Sequence, residues 1–79
     1  MTEPITITQL TEDNSRELWR LAALDDRSAP KGPALLAYVG GELRAAVGIV
    51  DGRAVADPFQ RTAEIVEILR FQARKEVSA

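Results

Sequence analysis

The chain contains no cysteine and no histidine among its 79 residues. Without Cys there is no disulfide framework, no zinc–thiolate site and no thiol nucleophile. Without His the commonest general base and the commonest transition-metal ligand are both missing. No Ser-His-Asp or Cys-His arrangement is possible. Aromatic residues are scarce, with one Trp, one Tyr and two Phe, so no aromatic-and-basic face exists for stacking bases. Neither sign of charge dominates: ten Lys and Arg stand against twelve Asp and Glu, a net charge of −2. That leaves no electrostatic case for nucleic acid or an anionic membrane, and neither is expected as a partner. No apolar run is long enough to cross a bilayer. The opening MTEPITITQL lacks a basic region and an apolar core, so no signal peptide is expected and a cytoplasmic location is. The carboxylates have no His or Cys beside them, and no loop converges several oxygens as a hard cation requires. No metal and no cofactor is expected.

What remains is ordinary globular composition, 46% hydrophobic and 28% charged. The length allows one small domain spanning residues 1–79. A domain of this size buries only about 60% of its unfolded surface, so association with another copy is a natural remedy.

The centre of the chain is Ala34 to Asp57, ALLAYVGGELRAAVGIVDGRAVAD. Gly40-Gly41 and Asp51-Gly52 both suit two-residue hairpin turns, which need positive φ. The expected strands are Ala34–Val39, Glu42–Val50 and Arg53–Asp57. Two-residue turns would fix the register. Val39 would face Glu42, Leu36 would face Ala45 and Ala34 would face Val47. Val47 would face Ala56 in the second hairpin. One face then gathers Ala34, Leu36, Tyr38, Leu43, Ala45, Val47, Ile49, Ala54 and Ala56 without a charge, and requires a helical cover. The other is apolar in patches, and calls for a second helix or another subunit. Three strands alone would be marginal, so the flanking segments should supply the cover.

Upstream, Glu3–Leu10 alternates Ile5 and Ile7 with Thr6 and Thr8, the pattern of a half-buried strand opened by Pro4. Asn14 with Glu17 fits a capping box, with Thr11 and Asp13 as alternative caps. A first amphipathic helix follows from Ser15 to Asp25 with Leu18, Leu21 and Ala22 on its stripe. Trp19 reads as a core or interface residue rather than a ligand platform. Asp25 and Asp26 read as a solvated helix end rather than an acid–base pair, because adjacent helix positions do not face one another. Two prolines and a glycine make Asp25–Pro33 a loop.

Downstream, Asp57-Pro58-Phe59-Gln60 makes a helix start, with Thr62 as a second candidate cap. The second helix runs to about Lys75 or Glu76. Its stripe is Ile65, Ile68, Leu69 and Gln72, widened by Val66 and Phe71. Arg70, Arg74 and Lys75 suit the negative end of its dipole. Residues 76–79 read as a frayed tail. The fold class expected is α+β, β-α-β-β-β-α, an antiparallel sheet around a three-stranded meander with two packing helices.

The opening strand ending in Leu10-Thr11-Glu12-Asp13, the helix with Leu18, Leu21 and Leu24, then LLAYVGGEL and ELRAAVGIV, resemble the N-terminal half of the GNAT superfamily of N-acetyltransferases. The resemblance covers Ile5 to Val50. It implies an acetyl-CoA site where a glycine-rich loop cradles the pyrophosphate at a helix start. Here that stretch is Asp57-Pro58-Phe59-Gln60-Arg61-Thr62-Ala63, and no Gly follows Gly52. Pro58 removes a donor and Asp57 adds a negative charge. The later strands of the family are not present in these 79 residues. The resemblance therefore implies kinship with a half-domain that lacks the pyrophosphate loop. The expectation is a non-enzymatic module working as a homodimer or as a partner of another protein, through an outer strand (Arg53–Asp57 or Ile5–Thr8) or a helix face. The alternative is a degenerate or partner-completed acyl-CoA-binding protein, with Gln60, Arg61 and Thr62 as the cofactor-binding residues.

Overall fold

The computed structural model describes residues 4–78, with side chains as far as Glu76. The chain runs β1 (Ile5–Gln9), α1 (Ser15–Leu24), β2 (Ala34–Val39), β3 (Glu42–Gly48), β4 (Ala54–Ala56) and α2 (Ala63–Ser78). The strands form one antiparallel sheet in the order β1-β2-β3-β4. This is the α+β, β-α-β-β-β-α arrangement expected from the sequence.

Both faces of the sheet are covered, each by one helix. Leu18, Leu21 and Ala22 of α1 pack on Ala34, Leu36, Ala46 and Val55. Leu69 and Ala73 of α2 pack on Leu35, Ala37, Ala45 and Val47 on the other side. Leu36 and Leu69 are wholly buried, one in each layer. Each such side chain contributes about 1.5–3 kcal/mol relative to exposure. Small Ala residues on both faces let the helices approach closely.

The first turn is the one the sequence indicates. Gly40 and Gly41 have φ of +59° and +86°, and Val39 pairs with Glu42. Further along, the register departs from expectation. A bulge follows Leu43, so that Ala37 pairs with Ala45 and Leu36 with Ala46. A one-residue slip turns every later side chain to the opposite face. Ala45 and Val47 therefore lie under α2, and Ala46 lies under α1 beside Leu36.

The second turn is not a two-residue hairpin. Strand β3 stops at Gly48, residues 49–53 form the loop, and Val47 pairs with Ala54 rather than Ala56. Asp51 is the cause. Its carboxylate accepts the Arg53 N–H at 3.0 Å and the Lys31 N–H at 2.9 Å. Ile49 N–H donates to Pro33 O at 2.9 Å. The turn is thus tied to the loop before β2, and of its residues only Gly52 takes positive φ, +69°.

Five local expectations are corrected. The capping box does not form at Asn14. Its amide instead closes the β1–α1 connection, accepting Thr11 N–H at 2.7 Å and donating to Gln9 O at 3.1 Å, while Glu17 accepts the Tyr38 hydroxyl at 3.1 Å. Helix α2 begins at Ala63, after Thr62, whose carbonyl accepts Val66 N–H at 2.9 Å. Asp57 does not cap α2, which starts six residues later; its carboxylate accepts Phe59 N–H in the intervening turn and pairs with Arg44, both at 2.9 Å. The apolar stripe of α2 is rotated toward Ala73, leaving Ile68 at 41% and Phe71 at 56% exposure. Finally, Trp19 is 67% exposed and is no core residue. The tail expected from residue 76 is helical to Ser78; Ala79 lies outside the described residues.

Candidate functional site

The three residues singled out for cofactor binding are consecutive and lie just before α2. Gln60, Arg61 and Thr62 line an open groove of about 770 Å³ with Ile5, Ala63, Glu64 and Ile65. The groove runs between the start of α2 and the start of β1. Gln60 and Arg61 are exposed, and the Gln60 N–H already donates to Asp57 O at 3.3 Å. Glu64, in the first turn of the helix, brings a carboxylate to the same groove. Trp19 stands over a second groove of about 680 Å³ along α1, floored by Leu18, Ala22 and Ala29.

The acidic residues have structural work. Asp25 is half-buried. Its carboxylate accepts Ala56 N–H at 3.1 Å and pairs with Arg27 at 3.3 Å. It is not a solvated helix end. Asp26 sits in the left-handed region at φ +53°. Behind it, Arg27 N–H donates to Ala22 O and Asp26 N–H to Ala23 O, the double bond pattern that closes a helix C-terminus. Asp57 is buried at 7% exposure. It faces Arg44, whose other guanidinium nitrogen lies 2.7 Å from Glu42. Among the described residues no group of three or more His, Cys, Asp or Glu is placed to hold a metal ion. No described helix is long and apolar enough to cross a membrane.

The remaining candidate is backbone rather than side chain. An antiparallel sheet directs alternate residues' N–H and C=O groups outward. Gly40 N–H donates to Pro4 O, and Leu10 N–H donates to Ala34 O. Even-numbered positions of β1 therefore bond to β2, and Ile5, Ile7 and Gln9 turn theirs away from the sheet. Asn14 occupies Gln9 O. The other outward groups of β1 have no protein partner among the hydrogen bonds of the described residues. Strand β1 carries no charge, no bulge and no proline within its five residues. These are the usual means of blunting an edge.

At the other edge, β4 is treated differently. Gly48 N–H donates to Arg53 O and Asp57 N–H to Arg44 O, so Ala54 and Ala56 point outward. Asp25 occupies Ala56 N–H. The strand is three residues long, and Pro58 follows closely. Of the two outer strands named from the sequence, Ile5–Thr8 is open, extended by Gln9, whereas Arg53–Asp57 is reduced to three residues with one outward group, the Ala56 N–H, held by Asp25. Nothing in the sequence pointed to Asp25 as the seal, since it lies 31 positions from Ala56. No protein-family model, curated protein or solved structure matches the chain.

Proposed function

We propose that this chain is a non-enzymatic module that acts by association, first with a second copy of itself. The observation that carries this reading is the open edge of β1, an uncharged strand with outward backbone groups beside exposed Ile5. A row of unpaired N–H and C=O groups is a template for another strand. The half-buried and buried carboxylates support the non-enzymatic part, because Asp25 and Asp57 are engaged by backbone N–H groups and arginines. A cytoplasmic setting accords with this role. The test is mass in solution by sedimentation at micromolar concentration. Twice the chain mass is the expected result; a monomer removes the reading.

A second reading has one observation in its favour. That observation is the resemblance of LLAYVGGEL and ELRAAVGIV to the second and third strands of a GNAT domain. Under it, acyl-CoA would lie at the groove of Gln60, Arg61 and Thr62. Against it stand Pro58 and the carboxylate of Glu64 at the same helix start. Calorimetric titration with acetyl-CoA decides it. Binding that weakens on Gln60→Ala and Arg61→Ala would favour this reading; absence of heat would remove it.

A further inference from the structure

We infer that two copies of this chain pair through β1 in antiparallel fashion about a twofold axis at Ile7, forming one continuous eight-stranded sheet (two sheets of four strands). The inference rests on the association reading and gives it a register. The outward residues Ile5, Ile7 and Gln9 are centred on Ile7. With the axis there, the two Ile7 residues exchange both backbone bonds, and each Ile5 exchanges bonds with the opposite Gln9. Gln9 O keeps its contact with Asn14, since a carbonyl accepts two hydrogen bonds.

The side chains of this register match one another. Opposed residues share a face, and β1 is paired so that Thr6 lies with Tyr38 and Ile7 with Ala37. Thr6 would therefore meet Thr8 of the second copy on the α1 side. Ile7 would meet Ile7, flanked by Ile5 against Gln9, on the α2 side. Thr–Thr and β-branched cross-strand pairs each favour pairing, and no like charges oppose.

The same geometry explains why growth would stop at two. The twofold uses the β1 edge of both copies. The remaining edges are both β4, short and held by Asp25. An isologous contact of this kind closes, whereas β1-to-β4 pairing would continue into a filament.

The test uses Ile5 and Gln9, which are both exposed, so that the fold is little disturbed. In this register they face each other across the seam. I5K/Q9K sets lysine against lysine at both ends, and I5K/Q9E sets lysine against glutamate. Sedimentation at the concentration where the wild type is dimeric should show I5K/Q9K as a monomer and I5K/Q9E as a dimer, with circular dichroism unchanged in both. In the wild type, the amides of Ile5, Ile7 and Gln9 should exchange more slowly in concentrated than in dilute solution. A dimeric I5K/Q9K, or amides whose exchange ignores concentration, would overturn the β1 seam while leaving association by another surface standing. Two monomeric variants that retain their folds would overturn the Ile7-centred register. A monomeric wild type would remove both the seam and the reading beneath it.

Discussion

Asp51 joins two loops that are far apart in the chain, and its ionisation is part of how it does so. The Lys31 N–H holds its carboxyl below the usual carboxylate range; the Arg53 N–H and the Arg53 charge act in the same direction, partly offset by burial. A depressed folded-state pKa contributes stability above the unfolded value, and that stability is lost as pH falls through the folded value. The thermal midpoint should therefore hold from neutrality down to about pH 4 and decline below it. Asp51→Asn should flatten that part of the decline owed to this side chain. A pH series of melts on both proteins checks this; parallel curves would deny Asp51 the role. Gly48 belongs to the same arrangement, because a Cβ there would run into the Asp51 carboxylate and lie 3.0 Å from Pro30 Cβ. Neither effect is visible from residue type alone, since Asp51-Gly52 is also the signature of a hairpin turn.

Among the elements, the β2–β3 hairpin is set by Gly40-Gly41 and then altered by its bulge. Gly41 has φ of +86° and nothing near its missing Cβ, so substitution there tests backbone conformation alone. Gly41→Val should cost roughly 1–3 kcal/mol of unfolding free energy, read from urea denaturation, with an unchanged slope. A neutral result would remove the type I′ turn. This turn, the element order and the apolar residues of α1 were all legible, because glycine pairs and helical spacing are strong local signals. The bulge was not. Ala45-Ala46-Val47 is apolar in both phases of a period-two pattern, so alternation cannot say which phase faces which helix. The rotation of α2 toward Ala73 was hidden for the same reason, since alanine serves either side of a helix. Of the candidate surfaces, the ITIT alternation marked β1 as a half-buried strand, but it could not choose between Ile5–Thr8 and Arg53–Asp57 as the open edge. The seal on β4 was not legible, because it depends on Asp25 meeting a strand 31 positions away.

For the molecule as a whole, a sheet three to seven residues deep is enclosed between two helices. Half of the core is alanine: of the fourteen buried hydrophobic residues described, seven are larger than alanine, namely Leu35, Leu36, Val47, Val55 and Leu69 on the strands and α2, with Leu18 and Leu21 on α1. Alanine contributes little transfer free energy per residue, and small domains have a thin margin to begin with. A native state that exists as a pair gains stability by mass action. Each tenfold increase in protein concentration then adds about 1.4 kcal/mol per dimer. For two such chains unfolding together, this raises the midpoint by roughly 3–6 °C. Calorimetry across two decades of concentration should show that rise in the wild type and its absence in I5K/Q9K. A midpoint independent of concentration in the wild type would mean that the open edge of β1 contributes nothing to its stability, and that the thin core alone carries the fold.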